Sequence, residues 1–169
     1  IDRRSFMENI AMIAKSRRRR FGFSLLELVI VVVILGIIGA IAIPRLSRGA
    51  AGAADSALSS NLAVLRNAID LYAAEHQNNY PTLADIEDQL LLYSDINGNT
   101  NATPTDVFLY GPYLRAIPPL PVGTKAGETG IDSAIGANVG WVYNESTGQI
   151  TAALAATETD AQGRAYSAY

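Results

Sequence analysis

Arg17-Arg18-Arg19-Arg20-Phe21-Gly22-Phe23-Ser24-Leu25-Leu26-Glu27 joins the most basic stretch of the chain to its most apolar one. From Phe23 to Ile43 the only ionisable side chain is Glu27. A run of that length crosses the hydrocarbon core of a bilayer as a helix. A charge costs about 2.5–3.5 kcal/mol at mid-membrane and less near an end, so a carboxylate kept there points to a function. Four arginines directly before such a helix follow the positive-inside rule. They are expected to stay cytoplasmic, with the bulk of the chain across the membrane. A secretory signal would have a shorter apolar region and a small-residue cleavage site after it. Here the apolar run is about twice as long as such a region, and it is expected to stay on the protein.

The stretch Gly22-Phe23-Ser24-Leu25-Leu26-Glu27-Leu28-Val29 resembles the processing site of type IV pilin-like proteins, the class that includes type II secretion pseudopilins. The resemblance implies cleavage by a prepilin peptidase between Gly22 and Phe23, followed by N-methylation of Phe23. Glu27 then becomes the fifth mature residue, where the family places its glutamate. Pro44 becomes the twenty-second, where the family often places a helix-weakening proline. Three features in register make the likeness specific, and it covers roughly the first third of the chain. It implies an α+β, pilin-like fold, with a long N-terminal helix packed on a small antiparallel sheet. The expected organisation is a basic leader over 1–22, a membrane and fibre-core helix over 23–53, and a globular domain over 54–169.

Charge is distributed to match. The 169 residues carry 13 Lys and Arg against 16 Asp and Glu, a formal net charge of −3. Seven of those bases (Arg3, Arg4, Lys15 and Arg17 to Arg20) precede the expected cut, with only Asp2 and Glu8 among the acids. Removing the leader leaves 6 bases against 14 acids, a net of −8. Nucleic-acid binding through a basic surface is therefore not expected of the mature form. The chain has no cysteine, which rules out a disulfide-closed loop and thiol chemistry.

Beyond the apolar run, Leu58, Leu62, Leu65, Ile69 and Tyr72 recur at spacings of four, three, four and three. That makes one apolar stripe on a helix, with Asn61, Arg66, Asn67 and Asp70 on the wet or partner-facing side. A continuous helix from Phe23 to His76 would be roughly 80 Å long. Pro44, Gly49 and Gly52 mark a weak zone within it, costing about 3 kcal/mol for the proline and about 1 kcal/mol for each glycine. Such a zone suits a kink at the membrane exit and a segment that melts when subunits pack. Thr82-Leu83-Ala84-Asp85 is similar to a capping box and predicts a short helix through Leu91. Ile117-Pro118-Pro119-Leu120-Pro121 reads as an extended strap. Trp141 to Asn144 and Gln149 to Ala152, separated by Glu145-Ser146-Thr147-Gly148, read as a hairpin. The same pattern is similar to hairpins near the C-termini of pseudopilins. The tail from Ala155 is small and polar, with Tyr166 and Tyr169 the residues able to tuck back.

Catalytic chemistry finds little support. The single histidine, His76, stands beside Glu75 at a helix end, where a cation is favoured by the helix dipole. No phosphate-binding loop and no Cys/His cluster occurs. Asp95, Asn97, Asn99 and Asn101, with Asp106 further on, alternate oxygen side chains as a calcium loop does. The glycine falls at the fourth loop position rather than the sixth, and an asparagine-rich turn is the commoner reading. No cofactor is expected, and calcium is the one candidate. The expectation is a filament subunit, not an enzyme. An amine on Phe23 would meet Glu27 of a neighbouring copy, and Gly36 and Ala40 would let helices approach closely. Implied partners are related subunits, the peptidase, an inner-membrane assembly platform and lipid before assembly. A type II secretion pseudopilus is the first reading. A type IV pilus for adhesion, motility or DNA uptake is the alternative, and a monomeric membrane-anchored binding protein a more distant one.

Overall fold

A computed structural model describes the chain over 23–169, with its side chains apart from those at 43–50. Helix α1, Leu25–Glu75, is 51 residues long. Pro44, Gly49 and Gly52 all lie within it, and the backbone stays helical through all three. No interruption of the helix marks the expected weak zone. The chain divides into two compact units, one ending at Ile43 and the other comprising Pro44–Tyr169.

The second unit is built on the apolar stripe of α1. Leu58, Leu62, Leu65, Ile69 and Tyr72 are all at most 3% exposed, as their spacing predicts. Helix α2, Ile86–Leu91, adds Ile86 and Leu90 to the same core. Strands β1, Tyr93–Ser94, and β2, Thr100–Asn101, form a small antiparallel ribbon. Strands β3, Gly130–Asp132, β4, Val139–Asn144, and β5, Gln149–Ala152, form the second sheet in that order. The predicted hairpin is present with Asn144 opposite Gln149 and Trp141 opposite Ala152. Trp141, Tyr143 and Ile150 bury their side chains against the stripe, while Asn144 and Gln149 face out. That alternation is the period-two pattern of a sheet with one covered face.

The sheet departs from the expected antiparallel form at β3, which pairs with β4 in parallel. A parallel pair usually needs a long crossover. β3 has only three residues, so the short link over 133–138 carries the chain back to its start. Gly140 makes the close approach possible, because a Cβ there would collide with the Glu128 carbonyl oxygen. The proline-rich strap runs between α1 and β4. Its Pro119 carbonyl accepts from Asn61 Nδ2 at 2.9 Å, and its Pro118 carbonyl accepts from Trp141 Nε1 at 2.9 Å.

Two local expectations change, and the tail tucks back. Spacing places Arg66 on the wet or partner-facing side of α1, yet its guanidinium donates to the Ile150 carbonyl at 3.2 Å and the Tyr169 backbone oxygen at 2.6 Å. A long side chain on the flank of a helix reaches across a core edge that spacing alone marks as solvent. Thr82 does not cap α2; Asp85 precedes the helix, and Thr82 Oγ1 bonds its carboxylate at 3.2 Å. Instead the Thr82 backbone N–H donates to Gln89 Oε1 at 2.9 Å. The tail ends in a 3-10 turn, Tyr166–Ala168, and both Tyr166 and Tyr169 pack on the core.

Candidate processing and assembly site

Ser24 stands just before α1, and the first helical bond runs from Leu28 N–H to its carbonyl at 3.1 Å. Glu27 lies in the first turn, where the exposed N–H groups of the helix favour an acid. Ser24 and Glu27 also have the S-x-x-E spacing of a capping box, a signal for the helix start at this position that the apolar pattern overshadows. Phe23 sits one turn before Glu27 and is 79% exposed. Gly22, the other side of the expected cut, lies outside the described residues.

Every large apolar side chain from Phe23 to Ile41 is at least 45% exposed. Leu25–Ala42 is long and apolar enough to cross a membrane, and none of it is buried. Each such side chain gains about 1.5–3 kcal/mol on leaving water. Lipid or other helices must therefore cover this surface. Gly36 has nothing within 4 Å of the position a Cβ would take, and Ala40 is likewise exposed. Both lie free for a second helix to approach. Pro44 belongs to α1, but its side chain is among those not described. Glu27 is thus a lone exposed carboxylate within an apolar surface, one turn from the residue expected to carry a new amine.

The calcium candidates are only partly brought together. Asp95 Oδ1 accepts from the backbone N–H groups of Asn97 and Asn99 at 2.9 and 3.0 Å, and its Oδ2 accepts from Asn99 Nδ2 at 2.8 Å. Those bonds, led by the Asn99 side chain, hold the Asp95 carboxyl below its ordinary range despite burial. Its oxygens are occupied in closing the loop. Asn101 pairs with Tyr93 in the ribbon, and Asp106 is exposed beyond it. Among the described residues no group of three His, Cys, Asp or Glu could hold a metal ion.

His76 is 1% exposed rather than a solvated helix-end cation. Nδ1 faces the Tyr72 carbonyl at 2.8 Å, while Nε2 faces the Asp95 carbonyl at 2.9 Å and Ser94 Oγ at 3.1 Å. Its ring stacks on Tyr72 with centroids 3.8 Å apart. It joins the end of α1 to the Asp95 loop. Nearby, Tyr113 donates to Glu75 Oε2 at 2.6 Å; burial first, and this bond second, push its hydroxyl well above the usual range. These polar groups position elements of the domain.

The prokaryotic N-terminal methylation motif matches residues 17–43. That interval takes in the arginine block, Gly22, Phe23, Glu27 and the exposed apolar surface, and it stops before the second unit. No curated protein and no solved structure matches the chain. The match to the motif supports a type IV pilin-like protein processed by prepilin peptidase.

Proposed function

We propose that the chain is the precursor of a filament subunit of a type II secretion pseudopilus, with a structural and not a catalytic role. The observation that carries the filament reading is Glu27. Cleavage after Gly22, as the motif's resemblance implies, would put the Phe23 amine one turn from it, and the surrounding apolar surface offers no other charge. Cleavage after Gly22 frees the amine. An incoming subunit's amine then meets Glu27 of a neighbour within packed helices. Removing one partner of a buried ion pair costs about 3–5 kcal/mol. A misplaced subunit would leave the charge unpaired, so the pair selects stagger as well as adding attraction. Contacts that do not close on themselves propagate as helical filaments.

The pseudopilus is favoured over a surface pilus by the lack of cysteine, the small domain and the C-terminal hairpin. The acidic mature charge also disfavours direct DNA binding. In this reading the N-terminus is cytoplasmic and the second unit periplasmic, with assembly starting from an inner-membrane platform.

Two measurements test the proposal. Co-expression with a prepilin peptidase, followed by intact-mass analysis, should give a chain beginning at N-methylated Phe23. Retention of the arginine block, or a cut after the apolar run, would remove the amine–Glu27 pairing. Deleting the gene in its host should then block export of folded proteins. Loss of surface fibres with export intact would move the assignment to a type IV pilus.

A further inference from the structure

At the C-terminal end of α1 the fold forms a half-open cavity of about 250 Å³ that no step of filament assembly uses. Tyr72 of α1, His76 just beyond its end, Tyr80 and Thr82 of the segment that follows, Gln89 of α2 and Asn97 of the Asp95 loop line it. Tyr80 and Thr82 also line a second, more open groove leading toward Glu145 and Ser146.

The walls are fixed. Gln89 is 3% exposed and held at both ends, donating to the Gly98 carbonyl at 2.9 Å and accepting from Thr82 N–H. His76 is held through both ring nitrogens. Gly98, at a φ of 83°, lets the Asp95 loop close against two of these walls: a Cβ there would lie 2.6 Å from the Tyr72 hydroxyl and 2.9 Å from Gln89 Nε2. The Tyr80 ring is 37% exposed and rests against Gly148 of the hairpin turn, giving a backed aromatic face.

One group in this setting is free to bond a ligand. Tyr72 is 3% exposed as a residue, and its hydroxyl makes no protein hydrogen bond among the described residues. The hydroxyl is not sealed from solvent, since among the described residues the buried side-chain atom without a partner is Asp55 Oδ1. Burial first, then the charges of Asp95 and Asp85, push this hydroxyl up to about 12, so it remains a donor at physiological pH.

The lining decides the class of occupant. No Lys, Arg, Asp or Glu lines the cavity, and the nearby charges are the acids Asp85 and Asp95. An anion would be repelled. An apolar ligand would leave the phenol unpaired, at the cost of its desolvation. Amides, hydroxyls and an aromatic face together suit a neutral ligand with several hydroxyl groups. The volume is below that of drug-sized sites, roughly 300–1,000 Å³, and so limits the occupant to about one ring.

We infer that this cavity binds a neutral, hydroxyl-rich ligand of monosaccharide size, placed against the Tyr80 ring and hydrogen-bonded by the Tyr72 hydroxyl and the Asn97 amide. The inference is independent of which filament the chain builds. So small a ligand is expected to bind with a Kd of about 1 mM.

Saturation-transfer NMR on the full chain tests it, in phosphocholine micelles that carry no sugar headgroup. The probes are the methyl glycosides of glucose, galactose and N-acetylglucosamine. Transfer to the ring protons of at least one is expected. Tyr72→Phe removes only the hydroxyl, so far-UV circular dichroism and Tm should be unchanged while affinity falls about fivefold to tenfold. Asn97→Ala, on an exposed loop, should weaken the same signal. Absence of transfer from all three glycosides overturns the inference, as does transfer that neither substitution weakens.

Discussion

Asp160 is a buried carboxylate kept charged by its neighbours. Its Oδ1 accepts from the N–H groups of Gln162 and Arg164, both at 2.8 Å, and its Oδ2 accepts from the Tyr169 hydroxyl at 2.6 Å. The Tyr169 bond chiefly, and then the two backbone donors, hold its carboxyl below the ordinary value of 3.8 against the opposing effect of burial. The same bond is the main reason that the Tyr169 hydroxyl is raised to about 12. In the unfolded chain Asp160 titrates normally. Its contribution to stability is therefore complete above the ordinary carboxylate value and lost as pH falls through the lower folded value. Asp160→Asn should lower Tm at pH 7, because the amide is a weaker acceptor and cannot be charged. The gap between wild type and variant should be narrower at about pH 3, below the ordinary carboxylate value, than at pH 7. Thermal unfolding followed by circular dichroism at both pH values reads this directly. An equal gap at the two would mean that shape, not charge, holds the tail.

At the scale of elements the β4–β5 hairpin depends on its turn. Gly148 takes a φ of 69°, donates its N–H to the Asn144 carbonyl at 2.9 Å, and carries the Tyr80 ring against its Cα. Gly148→Ala should cost about 1–2 kcal/mol for the left-handed backbone alone, and more if Tyr80 must move. Urea unfolding should show a lower midpoint with little change in m-value. A midpoint equal to wild type would show that the turn relaxes without strain. This hairpin was legible in the sequence because its signals are local: alternating β-formers and a glycine turn. The stripe from Leu58 to Tyr72 was legible for the same reason, since a helix face follows from spacing. The parallel seating of β3, the grip of Arg66 on Ile150 and Tyr169, and the burial of His76 were not. Each depends on groups distant in the chain, and neither propensity nor period carries that information. Glu27 was the exception among polar residues, because a charge in an apolar run is conspicuous without any tertiary partner. Ser24 shared its motif and was hidden by the stronger apolar signal.

Over the whole molecule, the apolar surface of the first unit and the acidic charge of the mature chain make different demands. Lipid can satisfy the apolar side chains from Phe23 to Ile41 as well as neighbouring helices can, since hydrocarbon is as apolar as leucine. The apolar surface therefore does little by itself to draw subunits out of the membrane. In the proposed filament Glu27 breaks this balance, because lipid offers its carboxylate no partner and a neighbouring subunit's amine would. Glu27→Ala removes the charge without altering Gly22 or Phe23, so the peptidase should still produce a chain beginning at N-methylated Phe23. The processed variant should remain in the membrane fraction and yield few or no filaments in sheared material viewed by electron microscopy. Loss of a term of about 3–5 kcal/mol per subunit corresponds to more than a hundredfold in each addition step, enough to stop growth while leaving insertion intact. Restoring the acid as Glu27→Asp keeps the charge on a side chain one methylene shorter, and should give fewer filaments than wild type but more than the alanine variant. Normal filaments from Glu27→Ala would mean that helix packing alone fixes the stagger. The carboxylate would then act before assembly, in the membrane or at the peptidase.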